Sequence, residues 1–296
     1  MKPFEYIIEL TSIVKGSFDL RWINLGYRYS RWWEEGGEVY QGAPLSNNRV
    51  VQLILLQDKN RVFLKIRSNY RLKDKEMEEL KGRVVFCFGL DEDISPVFRI
   101  ASKDRYLSRI IKELPGYRLK STPSIYEALI SGIISQNCSV RAFFNMQEEF
   151  IKGWGRGERI GSRKVFAFPT LEEILKGREI FKDKRLLYRA KSIKGVVREF
   201  KRGFLSQLER LSIEEGVEYL KRLKGVGEYT ARITYIYGMR RYNLLFLDGY
   251  VQKLMKRLYQ ITSPKDIYKF TRERWGEWQA YLLDILIAYE QMKDKM

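Results

Sequence analysis

The sequence predicts an α+β chain: a small antiparallel β domain first, then a larger, mainly α-helical one. Three observations carry this. IIELTSIV, FDLRWI, RVVQLILLQ and RVFLKIR, all early in the chain, are rich in β-branched and aromatic residues. From about residue 100 the apolar residues take a helical spacing, as in Ile125, Leu129, Ile133 and Ile134. Ser124, Thr170 and Ser212 each stand three residues before a glutamate, the pattern in which serine or threonine caps a helix and the glutamate caps back. The division expected is residues 1–98 and 99–296.

Taken in order, Asp58-Lys59-Asn60 supplies turn chemistry, so residues 49–67 are predicted to form a hairpin. Tyr27-Arg28-Tyr29 with Trp32-Trp33 is an aromatic cluster, open to two readings: a stacking platform, or packing between sheet and helices. GWGRGERIGSRK at 153–164 reads as a loop. A last helix is expected around Trp278–Tyr289, carrying WQAYLLDILIAY. There is no internal repeat and no low-complexity tract.

Composition narrows the chemistry. Of 296 residues, 45% are hydrophobic and 31% charged, a globular balance. Lys and Arg outnumber Asp and Glu 55 to 37, a formal charge of +18. Such an excess points to polyanions, nucleic acid first and an acidic membrane surface second. No apolar run nears the ~20 residues of a membrane span, and the N-terminus lacks a secretory pattern, so an intracellular protein is expected. The chain has no histidine and two cysteines. That excludes Ser-His and Cys-His nucleophiles, His-containing zinc sites and four-cysteine clusters. Catalysis has to rest on carboxylates, Lys, Tyr or backbone groups.

The stretch KRLKGVGEYTA (221–231) places Gly225 and Gly227 between two helical segments. Gly225 is suited to end one helix in the left-handed conformation and Gly227 to let the chain turn into the next. The amides of Val226, Gly227 and Glu228 would then face outward at a helix N-terminus, an anion site with Lys224, Lys221 and Arg222 beside it. An ordinary corner between two helices fits the same residues. Beyond a polar break at Arg240-Arg241-Tyr242-Asn243, Asp248 follows LLFL. It reads either as the N-cap of the next helix or as a carboxylate facing a cleft.

Together, L-K-G-V-G-E-Y-T-A and the aspartate of L-D-G-Y-V twenty-one residues after Gly227 resemble the helix-hairpin-helix superfamily of DNA base-excision glycosylases. The resemblance extends over nearly the whole chain. FGLDEDISP (88–96) is similar to the family's interdomain linker, and STPSIYEALISGIISQNCSVRA (121–142) to its helix and DNA-wedge loop. FPTLEEIL and RWGEWQAYLLDIL match later helices. The leading β domain is similar to that of 3-methyladenine DNA glycosylase II and 8-oxoguanine DNA glycosylase. L-D-G-x-V is nearer the adenine mismatch enzymes, whose four-cysteine cluster is missing.

The resemblance implies a helix-hairpin-helix at about 217–238 and an active-site cleft between helical subdomains. It implies that Asp248 is the catalytic carboxylate, and that Lys224, Gly225, Val226 and Gly227 bind a DNA phosphate. It allows a monovalent cation on the hairpin carbonyls, with no other metal and no cofactor. Gln136 and Asn137 would lie in the wedge loop and Arg141 would meet the partner base; without the resemblance, polar packing at a helix bend is the preferred reading of these residues. Tyr229, Gly26 and Tyr281 would contribute to the base pocket; a tyrosine packed on the neighbouring domain is the other reading of Tyr229. Bifunctional relatives carry a lysine where this chain has Tyr229, so a monofunctional enzyme is expected. Its partner is duplex DNA with a damaged base and its expected state a monomer, with no membrane association. Alkylated purines are the favoured substrates; 8-oxoguanine, a mismatched base or uracil is the alternative. A non-enzymatic helix-hairpin-helix DNA-binding protein is the competing class.

Overall fold

The computed structural model describes residues 2–45, 49–178, 181–208 and 210–294. Its packing separates Met1–Ser12, Ser30–Val84 and Leu129–Ala231 as one unit, and Ile13–Tyr29, Val85–Ala128 and Arg232–Met296 as another.

The first unit holds β1 (Phe4–Glu9), β2 (Trp33–Glu35), β3 (Glu38–Pro44), β4 (Val50–Asp58) and β5 (Arg61–Ser68), an antiparallel sheet in the order β1-β5-β4-β3-β2. The predicted hairpin is β4–β5, closed by the pair Asp58–Arg61, with Lys59 in the left-handed region at φ 54°. Val50 to Leu55 of β4 are all buried, as a central strand covered on both faces requires. β5 alternates between buried and more exposed residues, and Ile7 on the edge strand β1 is exposed.

Two sequence expectations fail here. FDLRWI is not a strand: Leu20–Asn24 is a short 3-10 helix, because Asp19 accepts the Arg21 N–H at 3.0 Å and draws the backbone into a turn. Residues 153–164 are not a loop. They contain most of a second hairpin, β6 (Gly157–Ile160) and β7 (Arg163–Phe166), turning at Gly161 with φ 60°. Ile160, Val165 and Ala167 pack with Val50, and Glu158 accepts the Val50 N–H at 3.1 Å. A helix, Asp74–Phe88, also occupies part of the segment expected to be β-rich.

The helical expectations stand. Thr170 and Ser212 form complete capping boxes with Glu173 and Glu215. Ser124 accepts the Glu127 N–H at 3.2 Å. In the second unit, Gln279–Lys293 is buried at every position from Gln279 to Tyr289 and forms the centre of that unit. No described helix is long and apolar enough to cross a membrane.

Candidate active site

Asp248 is the N-cap of the helix Gly249–Tyr259. Its backbone is extended (φ −118°, ψ 177°), and Oδ1 accepts the Val251 N–H at 2.7 Å. Oδ2 accepts the Tyr27 hydroxyl at 2.8 Å. Capping therefore engages one oxygen, and a side chain from the other end of the sequence engages the second. A carboxylate offers about four lone-pair directions, so acceptor capacity remains on this half-buried group.

Tyr27 is held from several sides. Its ring stacks on Tyr29 (5.9 Å between centroids, 8° between planes) and meets Phe246 edge-on at 5.1 Å. Its N–H donates to Asp284 Oδ1 at 2.9 Å. Gly26 before it has φ 73°, and a Cβ there would run into the Tyr117 hydroxyl and the Asp284 carboxylate. The packing alone thus requires glycine at this position.

Asp284 is 0% exposed. It accepts Tyr117 Oη at 2.5 Å and Tyr237 Oη at 3.3 Å besides the Tyr27 amide. Burial pushes its carboxyl up, against the opposing pull of Lys120 and these donors. Lys120 is 5% exposed and sits 4.2 Å from the Tyr117 ring centre; its amine donates to the Trp22 and Arg118 carbonyls at 3.3 and 3.2 Å. Burial brings that amine down from 10.5 to about 7. Tyr281, expected in the base pocket, is instead a core residue. It is 1% exposed and packs edge-on against Tyr242 and Trp278, because its helix is buried at every position from Gln279 to Tyr289.

In the first unit, the predicted hairpin joins the helix Ile213–Leu220 to Glu228–Met239. Gly225 has φ 90°, and a Cβ would stand 3.0 Å from Ser192 Cβ and Oγ. Both the conformation and the close approach demand glycine. Gly227 is different: its φ lies outside the left-handed region and nothing stands within 4 Å of the Cβ position. Among the described residues none accepts from the Gly227 N–H. The Val226 amide does not face outward as expected, since it closes the turn on the Leu223 carbonyl at 3.0 Å. Lys224 is exposed, whereas Lys221 pairs with Glu218 at 2.7 Å and Glu228 at 2.9 Å. Tyr229 is half-buried at the start of the second helix.

The wedge residues divide. Gln136 points back into its own unit: Nε2 donates to the Gly225 carbonyl and to Thr230 Oγ1, both at 2.8 Å. It braces the hairpin and takes up one of the carbonyls expected to serve a cation. Asn137 is exposed in the left-handed region at φ 48°, and Arg141 is exposed in the first turn of Val140–Trp154. Arg189, missed in the sequence, fixes this loop from the helix Lys184–Lys201 by donating to the Ile133 and Gln136 carbonyls. Tyr188 beside it is 79% exposed, with Lys184 and Lys191 at helical spacing on either side. Tyr117, Lys120 and Asp284 were missed as well, and Tyr27 was singled out only as an aromatic, not as the donor to Asp248. Of these, Asp284 carried a signal, as the lone acid in QAYLLDILIAY.

Comparison with known proteins adds the following. Residues 130–279 match the family described as "HhH-GPD superfamily base excision DNA repair protein". A DNA-3-methyladenine glycosylase of Bacillus subtilis is 22% identical over 240 residues, 78% of this chain and 79% of that protein. The structure of a 3-methyladenine DNA glycosylase from Archaeoglobus fulgidus superposes with a TM-score of 0.79 at 21% identity, covering 97% of this chain and 99% of the other. An 8-oxoguanine glycosylase/lyase of Clostridium acetobutylicum, in complex with double-stranded DNA containing cytosine opposite 8-oxoguanine, gives 0.74 at 23% identity over the full length of both chains.

Proposed function

We infer that this chain, which belongs to the HhH-GPD superfamily of base excision DNA repair proteins, is a DNA glycosylase that releases alkylated purines of the 3-methyladenine type and leaves an abasic site. The observation that carries this reading is Asp248: a half-buried carboxylate, fixed by one backbone and one side-chain donor, at the motif position of the family's catalytic acid.

Breaking the bond between a base and deoxyribose C1′ builds positive charge on the sugar. A fixed carboxylate ~4 Å away, at an effective dielectric of ~20, stabilises that charge by ~4 kcal/mol. Felt only in the transition state, this is worth about a thousandfold in rate. The remaining lone pairs of Asp248 can orient the attacking water. Alkylated purines are electron-poor and have weakened glycosidic bonds, so one carboxylate with no histidine suffices for them. Tyr229 cannot form an imine, and Lys224 precedes the glycines instead of following them, so strand cleavage through a Schiff base is not expected.

The DNA is held by phosphate contacts. No described residue accepts from the Gly227 N–H, and its empty Cβ position leaves no side chain to hold a phosphate away; Lys224, Lys191, Lys184 and Arg141 supply exposed charge in the same unit. Tyr188 offers an exposed aromatic face for stacking on a base. One molecule acting alone on duplex DNA is the simplest arrangement.

Asp248→Asn is the direct test. Asparagine caps a helix as well as aspartate does, so the fold and DNA binding should persist while base release from duplexes carrying one defined lesion falls about a thousandfold. Unchanged base release overturns the mechanism. The same lesion panel, with 8-oxoguanine and uracil as further arms, reads out the substrate. Strand breaks without alkali, or borohydride trapping of the wild-type protein on DNA, overturn the monofunctional assignment.

A further inference from the structure

The Asp248 carboxylate has two oxygens and two internal donors, and the donors differ in kind. The Val251 amide belongs to the helix that Asp248 caps, so any N-cap at this position would receive it. The Tyr27 hydroxyl arrives from a segment 221 residues away in sequence and reaches the other oxygen at 2.8 Å. Capping has no need of it.

The surroundings of Tyr27 fix where that hydroxyl stands. The Tyr29 stack and the edge of Phe246 set the ring plane, and Phe246 lies two residues before Asp248 on the same connection. The Asp284 carboxylate holds the backbone N–H. Gly26 can take its left-handed turn only because it lacks a Cβ, which lets Tyr117 and Asp284 close behind it. The donor is therefore placed before any substrate arrives, as preorganised electrostatic catalysis requires. Ionisable groups beside this carboxylate within its unit include Tyr250 on its own helix and, beyond Tyr27, Asp284, which accepts the Tyr27 N–H and the Tyr237 hydroxyl.

We propose that Tyr27 is a positioning residue for the reaction: its hydroxyl locks the rotation of the Asp248 carboxylate, so that the lone pairs left free point at the sugar and the attacking water. The inference rests on Asp248 being the catalytic acid. Without the Tyr27 donor, the carboxylate is tethered by one oxygen only and can turn about its Cβ–Cγ bond. A misplacement of ~1 Å in such a group costs up to about a hundredfold in rate.

Tyr27→Phe keeps the ring, its stack and the Asp284 contact to the backbone. The experiment is a double-mutant cycle in single-turnover base release, with enzyme in excess over a 7-methylguanine duplex, using Y27F, D248N and the pair. The expected result is a tenfold to hundredfold slower step in Y27F, unchanged binding to a duplex with an abasic-site analogue, and no further loss when Y27F is added to D248N. Three results would overturn the proposal: wild-type rate in Y27F, parallel loss of binding and rate, which marks a packing role, or an undiminished Y27F effect in the D248N background, which shows that Tyr27 does not act through Asp248. If D248N itself keeps full activity, the underlying assignment of Asp248 fails, an outcome separate from the other three.

Discussion

Alanine at Gly225 and alanine at Gly227 should produce different defects, although only Val226 separates the two positions. At Gly225 the backbone has φ 90°, where a residue with a Cβ costs about 1–2 kcal/mol. The new methyl would also stand 3.0 Å from both Ser192 Cβ and Oγ, which adds about 1 kcal/mol of overpacking. Gly225→Ala should therefore lose roughly 2–3 kcal/mol of unfolding free energy. At Gly227 neither cost arises: the φ is ordinary and the Cβ position is empty. Gly227→Ala should fold nearly as well as the parent, losing under about 1 kcal/mol because alanine is a poorer N-cap than glycine for the helix that follows. Its defect is toward DNA, because a methyl keeps a phosphate from the amide, and about tenfold weaker binding is expected, ~1.4 kcal/mol. Urea unfolding measures the first effect and fluorescence anisotropy with a labelled duplex the second. Wild-type DNA affinity in Gly227→Ala, or undiminished stability in Gly225→Ala, would refute the division of labour between the two glycines.

Lys120 makes stability depend on pH. Its amine titrates near 7 folded and near 10.5 unfolded, so between those values the unfolded chain holds the extra proton and stability rises with pH. Relative to Lys120→Met, the wild type should gain about 1.4 kcal/mol per pH unit in that window, measured by urea unfolding across it; a constant difference between the two proteins would show that Lys120 stays charged. Gln136→Ala removes two hydrogen bonds that brace the hairpin, at about 1 kcal/mol each. It should weaken binding to undamaged and abasic duplexes alike, whereas a residue that enters the duplex would affect only the abasic one.

The elements legible in the sequence were those whose causes are local. The β4–β5 hairpin shows its period and its turn within twenty residues, and the capping boxes at Thr170 and Ser212 within four. Asp248 and the hairpin glycines belonged to compact motifs. β6–β7 was legible too, because Gly161-Ser162 is a two-residue hairpin turn, yet the many glycines around it suggested a loop. FDLRWI misled because Asp19 captures its backbone, an effect that β propensity does not include. The Tyr27–Asp248 bond could not be read, since nothing near Tyr27 in sequence announces a partner 221 residues later. Asp284 announced that it needed donors but not which ones. Val226 shows the reverse failure: its amide was assigned to a ligand, and the turn uses it.

The seam between β3–β4 and the later hairpin bears on how this protein is made. A Cβ at Gly42 would strike the Phe166 carbonyl, Gly42 bridges Ala167, and the Val50 amide is taken by Glu158. Strands β3 and β4 thus receive this cover from residues synthesised more than a hundred positions later. Until that segment emerges, Val50 and its neighbours have no partner on one side, and the nascent chain carries an unfinished apolar sheet. Contacts so distant in sequence close slowly, and exposed strands invite association with other chains meanwhile. Between the translation of residue 68 and that of residue 167, this face of the sheet stands open to such association.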